Sequence, residues 1–292
     1  MHEAMYYEKT TGGVRCLLCP HRCRIPEGKN GLCGVRRAEG GSLYTLNYGK
    51  LSAIHVDPIE KKPLACWRPG SMIFSVGSFG CNMACPFCQN HEISKGRPRT
   101  SYHTPDGIVA TIRGLDLDSI AYTYNEPTVY YEWMLDTARA AKQAGIANVM
   151  VTNGLICSEP LQEILPLMDA FNIDLKTWSD GLYRKLGGTT VEDVLQTIGT
   201  AAAASHVEVT LLIVPGFYYD PAKGPRDQQP ALEAIEGLLE RLRQAAPDVV
   251  LHITRYFPCY HMEEPATDVG YMLQVQETAR KYFDTVLLGN VR

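Results

Sequence analysis

From Met72 onward, short apolar runs ending in glycine or polar residues alternate with longer stretches of helical period, and this rhythm constrains the fold more than any other feature. The spacing predicts strands over Met72–Gly80, Ser119–Asn125, Asn148–Gly154, Ala170–Lys176, Val207–Gly216 and Val249–Pro258. Between them it predicts helices over Pro105–Arg113, Thr128–Ala144, Glu159–Met168, Val191–Ala204 and Pro230–Ala246, each long enough for a crossover between parallel strands. A last helix over Asp268–Phe283 precedes Thr285–Gly289, a further strand or a closing segment, and the polar stretch Pro221–Gln229 reads as a surface loop. The fold class expected is α/β, with a parallel sheet that either closes as a barrel or stays open. A chain of 292 residues accommodates this as one main domain, residues 72–292.

The positions of the unusual residues discriminate between the two. Cys81, Asn125, Glu126, Asn153, Asp174, Lys176, Pro215, Gly216 and Arg255 all lie at or just past strand C-terminal ends, where α/β barrels build their active sites. Residues 1–71 do not share the rhythm. With Gly12-Gly13, Gly40-Gly41 and a dense cysteine group, they read as an N-terminal cysteine-rich module and a β-rich lead-in.

A hydrophobic fraction of 45% with 21% charged residues is enough to bury a large core. The net charge of -4 offers no basic footprint for nucleic acid, and no apolar run is long enough to cross a bilayer. A cytoplasmic location is therefore expected. In that reducing compartment ten cysteines are not expected to be disulfides, and seven of them fall into two tight clusters, which points to metal.

The segment GCNMACPFCQN places Cys81, Cys85 and Cys88 with three and then two intervening residues directly after a strand. Three thiolates can ligate three irons of a 4Fe-4S cubane and leave the fourth iron open. An open iron can chelate the amino and carboxylate groups of S-adenosylmethionine. A zinc knuckle or an electron-transfer cluster would call for a fourth ligand nearby, and none lies close in sequence. Phe87 is suited to packing on adenine.

This pattern resembles the radical S-adenosylmethionine superfamily. The ordered segments CLLCPHRC, GLCGVR, DPIEKKPL, GCNMACPFCQN, AYTYNEP, VTNG, NIDLK, VPG, LHITRYFP and LLGN narrow the resemblance to AmmeMemoRadiSam-type radical enzymes, relatives of the pyruvate formate-lyase activating enzymes. The resemblance implies a partial or near-complete (β/α) barrel of radical SAM type. It also implies reductive cleavage of S-adenosylmethionine to methionine and a 5'-deoxyadenosyl radical that takes hydrogen from a substrate. A reductant such as flavodoxin or ferredoxin and a Memo-type protein partner belong to the same expectation. Asp174 and Lys176, on one strand face with Leu175 turned away, match an element that engages the methionyl end of the cofactor. Where relatives have a glycine-glycine-glutamate segment this chain reads Asn125-Glu126, whose side chains would replace the backbone contact. Their alternative reading is a helix N-cap before Thr128. Asn153, His252 and Arg255 complete the cofactor set, with His261 an alternative to His252. Lys61 and Lys62 belong to a family segment, or to an exposed turn.

Cys16, Cys19, Cys23 and Cys33 supply four thiolates in a short module. They fit structural zinc or a second 4Fe-4S cluster, and the spacing favours zinc. A zinc ribbon flanked by Arg15, Arg22, Arg24, Arg36 and Arg37 is the third reading. Cys66, Cys157 and Cys259 stand alone, as buried apolar residues do. Rival functions are a glycyl-radical-enzyme activase and a non-catalytic iron-sulfur or zinc-binding interaction protein.

Overall fold

A computed structural model describes residues 1–223 and 228–291. Its centre is an eight-stranded sheet of β1 (Ala53–Pro58), β2 (Met72–Gly77), β3 (Ser119–Tyr122), β4 (Ala147–Thr152), β5 (Ala170–Asp174), β6 (His206–Ile213), β7 (Val250–Arg255) and β8 (Val286–Gly289). The spatial order is the sequence order, β1 to β8. Strands β2 to β8 run parallel; β1 pairs antiparallel with β2, with Ala53 opposite Gly77 and Pro58 opposite Met72. The edges β1 and β8 are not hydrogen-bonded to each other among the described residues, so the sheet is open and no closed barrel forms.

Helices α1 (Pro105–Gly114), α2 (Tyr131–Gln143), α3 (Ser158–Ile164), α4 (Val191–Ala202), α5 (Gln229–Ala245) and α6 (Val269–Ala279) connect the parallel strands. Three of their starts carry a side-chain cap coded locally. Thr104 accepts from Gly107 N–H with Pro105 in the first turn, Thr190 and Asp193 form a reciprocal capping box, and Asp268 accepts from Tyr271 N–H. Helix α5 buries one stripe, Ile235, Leu238, Leu239 and Leu242, whereas the first turn of α2 is buried all round, from Tyr131 to Leu135. All of β3 and nearly all of β4 are buried, as both faces of a parallel sheet require.

The strands stop earlier than the sequence suggests, at Gly77, Tyr122 and Thr152 rather than Gly80, Asn125 and Gly154. The reason is side-chain capture of the backbone. Asn125 Oδ1 accepts from Ser78 N–H at 2.8 Å, and Glu126 accepts from the N–H groups of Thr128 and Asn153, so these residues bond to side chains instead of a ladder. The short helix over Asp180–Lys185 lies in a stretch to which the sequence assigns no element, and β1 falls within the β-rich lead-in expected of residues 1–71. Of the loop Pro221–Gln229, residues 221–223 are exposed, Gln228 is buried, Gln229 opens α5 and residues 224–227 lie outside the described residues.

Ahead of β1 lie two three-stranded antiparallel sheets. One joins His2–Glu3, Ser42–Thr45 and Arg36–Glu39; the other joins Tyr7–Thr10, Gly13–Cys16 and Arg24–Pro26. Arg36 fastens them to the core: its Nη2 donates to Glu132 Oε1 of α2 at 2.6 Å and its Nη1 to the Met5 carbonyl at 3.0 Å. Both side chains of this ion pair are only 2% exposed. Among the described residues no helix is long and apolar enough to cross a membrane.

Candidate active site

At the C-terminal ends of the parallel strands a chamber of about 930 Å³ opens, lined by residues from both edges of the sheet, from β4 to β7 and from the segments that follow β2 and β3. Cys81, Cys85 and Cys88 lie in its wall. Gly80, at φ +88°, turns the chain into this segment; a Cβ there would stand 2.8 Å from the Cys33 carbonyl oxygen and 2.7 Å from the Val35 side chain. Burial pushes the Cys81 thiol up to about 12. The Cys85 thiol is likewise raised by burial, to about 11, against the pull of the Lys176 ammonium. Without a metal these groups are protonated, and cluster assembly displaces their protons.

Among the described residues no three Cys, His, Asp or Glu side chains converge closely enough to share one ion. A single ion would hold thiolates about 3.8 Å apart, given a Zn–S bond of about 2.3 Å. In a cubane each thiolate bonds a different iron, so the sulfurs stand farther apart around a chamber, and Cys81, Cys85 and Cys88 fit that donor set.

Asn125, Glu126 and Asn153 also border the chamber, but the protein engages most of their polar atoms. Asn125 donates to the Gly80 carbonyl at 2.9 Å in addition to accepting from Ser78, which splints the turn ahead of Cys81. Glu126 Oε1 accepts from Thr128 N–H (3.1 Å), Thr128 Oγ1 (2.8 Å) and Thr152 Oγ1 (2.7 Å), and Oε2 accepts from Asn153 N–H (2.8 Å). It caps the 3-10 turn Pro127–Tyr130, the second of the two readings its sequence allows. Burial raises its pKa against these four bonds. Asn153 Nδ2 donates to Asn82 Oδ1 at 2.8 Å and lies 3.9 Å from the Cys81 sulfur, while its Oδ1 accepts from Leu155 N–H.

On the other side, Asp174 ends β5 and its Oδ2 accepts from Lys176 Nζ at 2.8 Å. Burial alone would lower the Lys176 ammonium, but the adjacent carboxylate overrides it and holds the group charged well above the ordinary lysine range. Phe87 lines the chamber, edge-on to Phe217 (centroids 5.7 Å apart) and Tyr256 (6.5 Å). His252 lines it too, with Nε2 2.5 Å from Glu208 Oε2. Burial would raise the Glu208 carboxyl, yet bonds from His206, His252 and the N–H groups of Ala65 and Cys66 bring it down to about 2.

Arg255 departs from the expected cofactor set. Its Nε donates to the Thr267 carbonyl at 2.9 Å and its guanidinium lies over Phe257, away from the chamber lining. The cause is strand alternation: His252 and Thr254 share a face, and a residue three positions from His252 faces the other way. His261 is also outside the lining, its N–H bonded to the Pro86 carbonyl.

The sequence reading gave little weight to a group at the β1 edge. Lys62, only 3% exposed, donates to Asp57 at 2.7 Å and sits 4.5 Å from the Tyr124 ring centre, while Tyr124 Oη donates to the same carboxylate at 2.5 Å. Burial lowers the lysine's pKa. The signal was present in DPIEKKPL, where Asp57 and Lys62 lie five residues apart, but without the fold the segment reads as an exposed turn.

The Radical SAM superfamily profile matches residues 75–224. An uncharacterized protein of Methanocaldococcus jannaschii, MJ0808, is 40% identical over 298 residues, which span all of this chain and 86% of that protein. The chain belongs to the Radical SAM superfamily, and membership implies a 4Fe-4S cluster and S-adenosylmethionine. MJ1227 of the same archaeon, designated by name as a putative glycyl-radical enzyme activating enzyme, is 33% identical over 100 residues, 34% of this chain and 40% of that one. The fold is similar to QueE from Escherichia coli (TM-score 0.51, 13% identity, 83% of this chain and 94% of QueE). It is also similar to Streptococcus suis SuiB (TM-score 0.54, 14% identity, 73% of this chain), of which it spans about half, 47%.

Proposed function

We propose that this chain is a radical enzyme of the AmmeMemoRadiSam type, in which Cys81, Cys85 and Cys88 hold the cluster while Asp174 and Lys176 bind the methionyl end of S-adenosylmethionine. The observation that carries this is the meeting of the three cysteines and the Asp174–Lys176 pair in one chamber. When bound, the cluster and S-adenosylmethionine together supply reductive C–S cleavage and a hydrogen-abstracting radical.

The chain's own residues provide the setting. The Asp174 carboxylate would accept from the methionyl amino group and the Lys176 ammonium would donate to the methionyl carboxylate, so the pair would exchange its mutual bond for bonds to the cofactor. Asn153 holds Cys81 in place, Glu126 fixes the backbone of Asn153, and Phe87 offers an apolar face toward adenine. Arg255 takes no part. Electrons come from a flavodoxin or ferredoxin, and a Memo-type protein is the partner the family likeness suggests.

Anaerobic reconstitution and reduction in the presence of S-adenosylmethionine should yield methionine and 5'-deoxyadenosine by mass spectrometry. Replacing Cys81, Cys85 or Cys88 with alanine should abolish both products; full yield from any of these variants would refute the assignment.

The likeness to MJ1227 favours a second reading, a glycyl-radical-enzyme activase. That reading requires a glycyl radical, visible by electron paramagnetic resonance, on a partner enzyme incubated with the reduced protein.

A further inference from the structure

Two groups of reactive side chains lie outside the steps above. Cys16, Cys19, Cys23 and Cys33 line a void of about 20 Å³, room for about one water molecule and too small for a cubane. Among the described residues no three of these thiols converge on a point that one ion could occupy, so no metal centre is assigned to them.

The second group stands at the β1 edge of the chamber, with β2, β3 and β4 between it and the Asp174–Lys176 pair of β5. Lys62 is buried there, and among the described residues its Nζ donates to Asp57 alone. That carboxylate is shared: the Tyr124 hydroxyl donates to the same oxygen, and the Lys61 ammonium donates to the other at 3.3 Å. Two ammonium groups therefore lean on one carboxylate. Glu60, the other acid of this edge, is taken up by the Gly70 N–H at 2.7 Å. Burial lowers the Lys62 ammonium from the ordinary lysine range and the neighbouring Lys61 charge adds to this, against the pull of Asp57. A desolvated lysine beside a second cation is the arrangement that frees an amine for nucleophilic attack.

The backbone is bent to assemble this group. Tyr124 adopts φ +69°, a left-handed conformation that a bulky side chain rarely takes. Gly77 at the end of β2 leaves the room for it, since a Cβ there would stand 2.9 Å from the Thr123 carbonyl oxygen and 3.0 Å from the Tyr124 Cβ. Asn90, two residues past Cys88, donates to the Tyr124 carbonyl at 2.8 Å, which ties the group to the cysteine segment. A salt bridge that only fastened β1 would need neither the strained tyrosine nor the second lysine.

We propose that Lys62 is a Schiff-base lysine, which tethers a substrate aldehyde or ketone in the chamber through its Nζ. The nitrogen lone pair forms a bond to the carbonyl carbon, the C=O bond breaks, and both protons of the neutral amine leave with the oxygen as water; nothing is oxidised or reduced. Asp57 takes the nitrogen proton, and Tyr124 protonates the departing oxygen and regains its own proton through the hydrogen bond to Asp57. That the tethered substrate then meets the radical rests on the function proposed above. Imine formation itself needs neither cluster nor S-adenosylmethionine.

The full chain should be treated at about pH 7 with acetaldehyde, small enough to enter the chamber, and sodium cyanoborohydride, which fixes each imine as an ethylamine. Peptide mass spectrometry then gives a labelling rate for each lysine. Lys62, though buried, should be ethylated about tenfold or more faster than exposed Lys61, the advantage of an ammonium lowered by about one pH unit. Equal or slower labelling at Lys62 would overturn the proposal, and this comparison needs no variant. Lys61→Gln, at an exposed position, removes the neighbouring charge and should slow labelling of Lys62 about threefold or more. An unchanged or faster rate would overturn the paired-lysine mechanism. Failure of the radical reading looks different: Lys62 still labels fast, in a reconstituted protein that yields no 5'-deoxyadenosine from S-adenosylmethionine.

Discussion

The ends of β3 and β4 and the end of β5 face the same chamber but treat their polar groups differently. On the first side, Glu126 accepts four protein hydrogen bonds at only 4% exposure, and Asn125 and Asn153 use both ends of their amides. On the second, the Asp174 and Lys176 side chains are 33% and 16% exposed and hold little besides each other. A network whose groups are matched internally gains little from a ligand and loses much when cut. A pair left partly solvated at a cavity wall, with no partners beyond each other, can exchange them at small cost to the apo fold.

The largest test of this contrast is Glu126→Leu. It leaves four donors around the site without their acceptor, two of them backbone N–H groups, and should lower apo stability by about 3 kcal/mol or more, read by chemical denaturation. A loss below about 1 kcal/mol would show that the network is not structural.

Next come Asp174→Asn and Lys176→Met. Each should weaken S-adenosylmethionine binding to the reconstituted protein about tenfold or more while changing apo stability by about 1 kcal/mol or less. If both variants unfold easily yet bind the cofactor like the parent, the two sides of the chamber do not differ in kind.

A smaller, pH-dependent effect belongs to Cys81. Its folded thiol is raised by burial to about 12, above the unfolded value of about 8.5. The unfolded state therefore releases its proton first as pH rises. The stability tied to the neutral thiol is present below about pH 8.5 and is lost as pH climbs toward 12, by up to about 1.4 kcal/mol per pH unit. The apo Cys81→Ser variant should show a flatter stability curve between about pH 9 and pH 10.5, an interval chosen to lie within that window. Parallel curves would refute the buried-thiol account.

The smallest effect is expected from Arg255→Ala. On the face turned from the chamber, its loss should leave S-adenosylmethionine affinity within about twofold of the parent, a difference of about 0.4 kcal/mol. A tenfold loss would return Arg255 to the cofactor set.

The sequence made the succession of β2 to β7, the crossover helices and the cysteine cluster legible, because these follow from period, caps and spacing, while the spatial order of the strands came from the structure. It did not reveal which polar residues were free. Asn125, Glu126 and Asn153 carry the same chemistry as Asp174 and Lys176 on paper, and only the positions of Ser78, Thr128 and Thr152 show that the first three are engaged. Arg255 could have been set aside from alternation alone. The bounds of β1 within the β-rich lead-in were not legible because its segment mixes polar and apolar residues, and its pairing with β2 bridges a long intervening loop. The Glu208 network was hidden for a related reason, since its donors come from residues 65, 66, 206 and 252.

The unpaired edges of the sheet have a consequence for traffic. A closed barrel is a cup, filled and emptied through its rim. Here the wall has a seam between β1 and β8, and the chamber reaches it from both sides, from Lys61 and Lys62 on one edge to Gly289 and Asn290 on the other. Along that seam the chamber is bounded by side chains of the two edges and not by a backbone ladder.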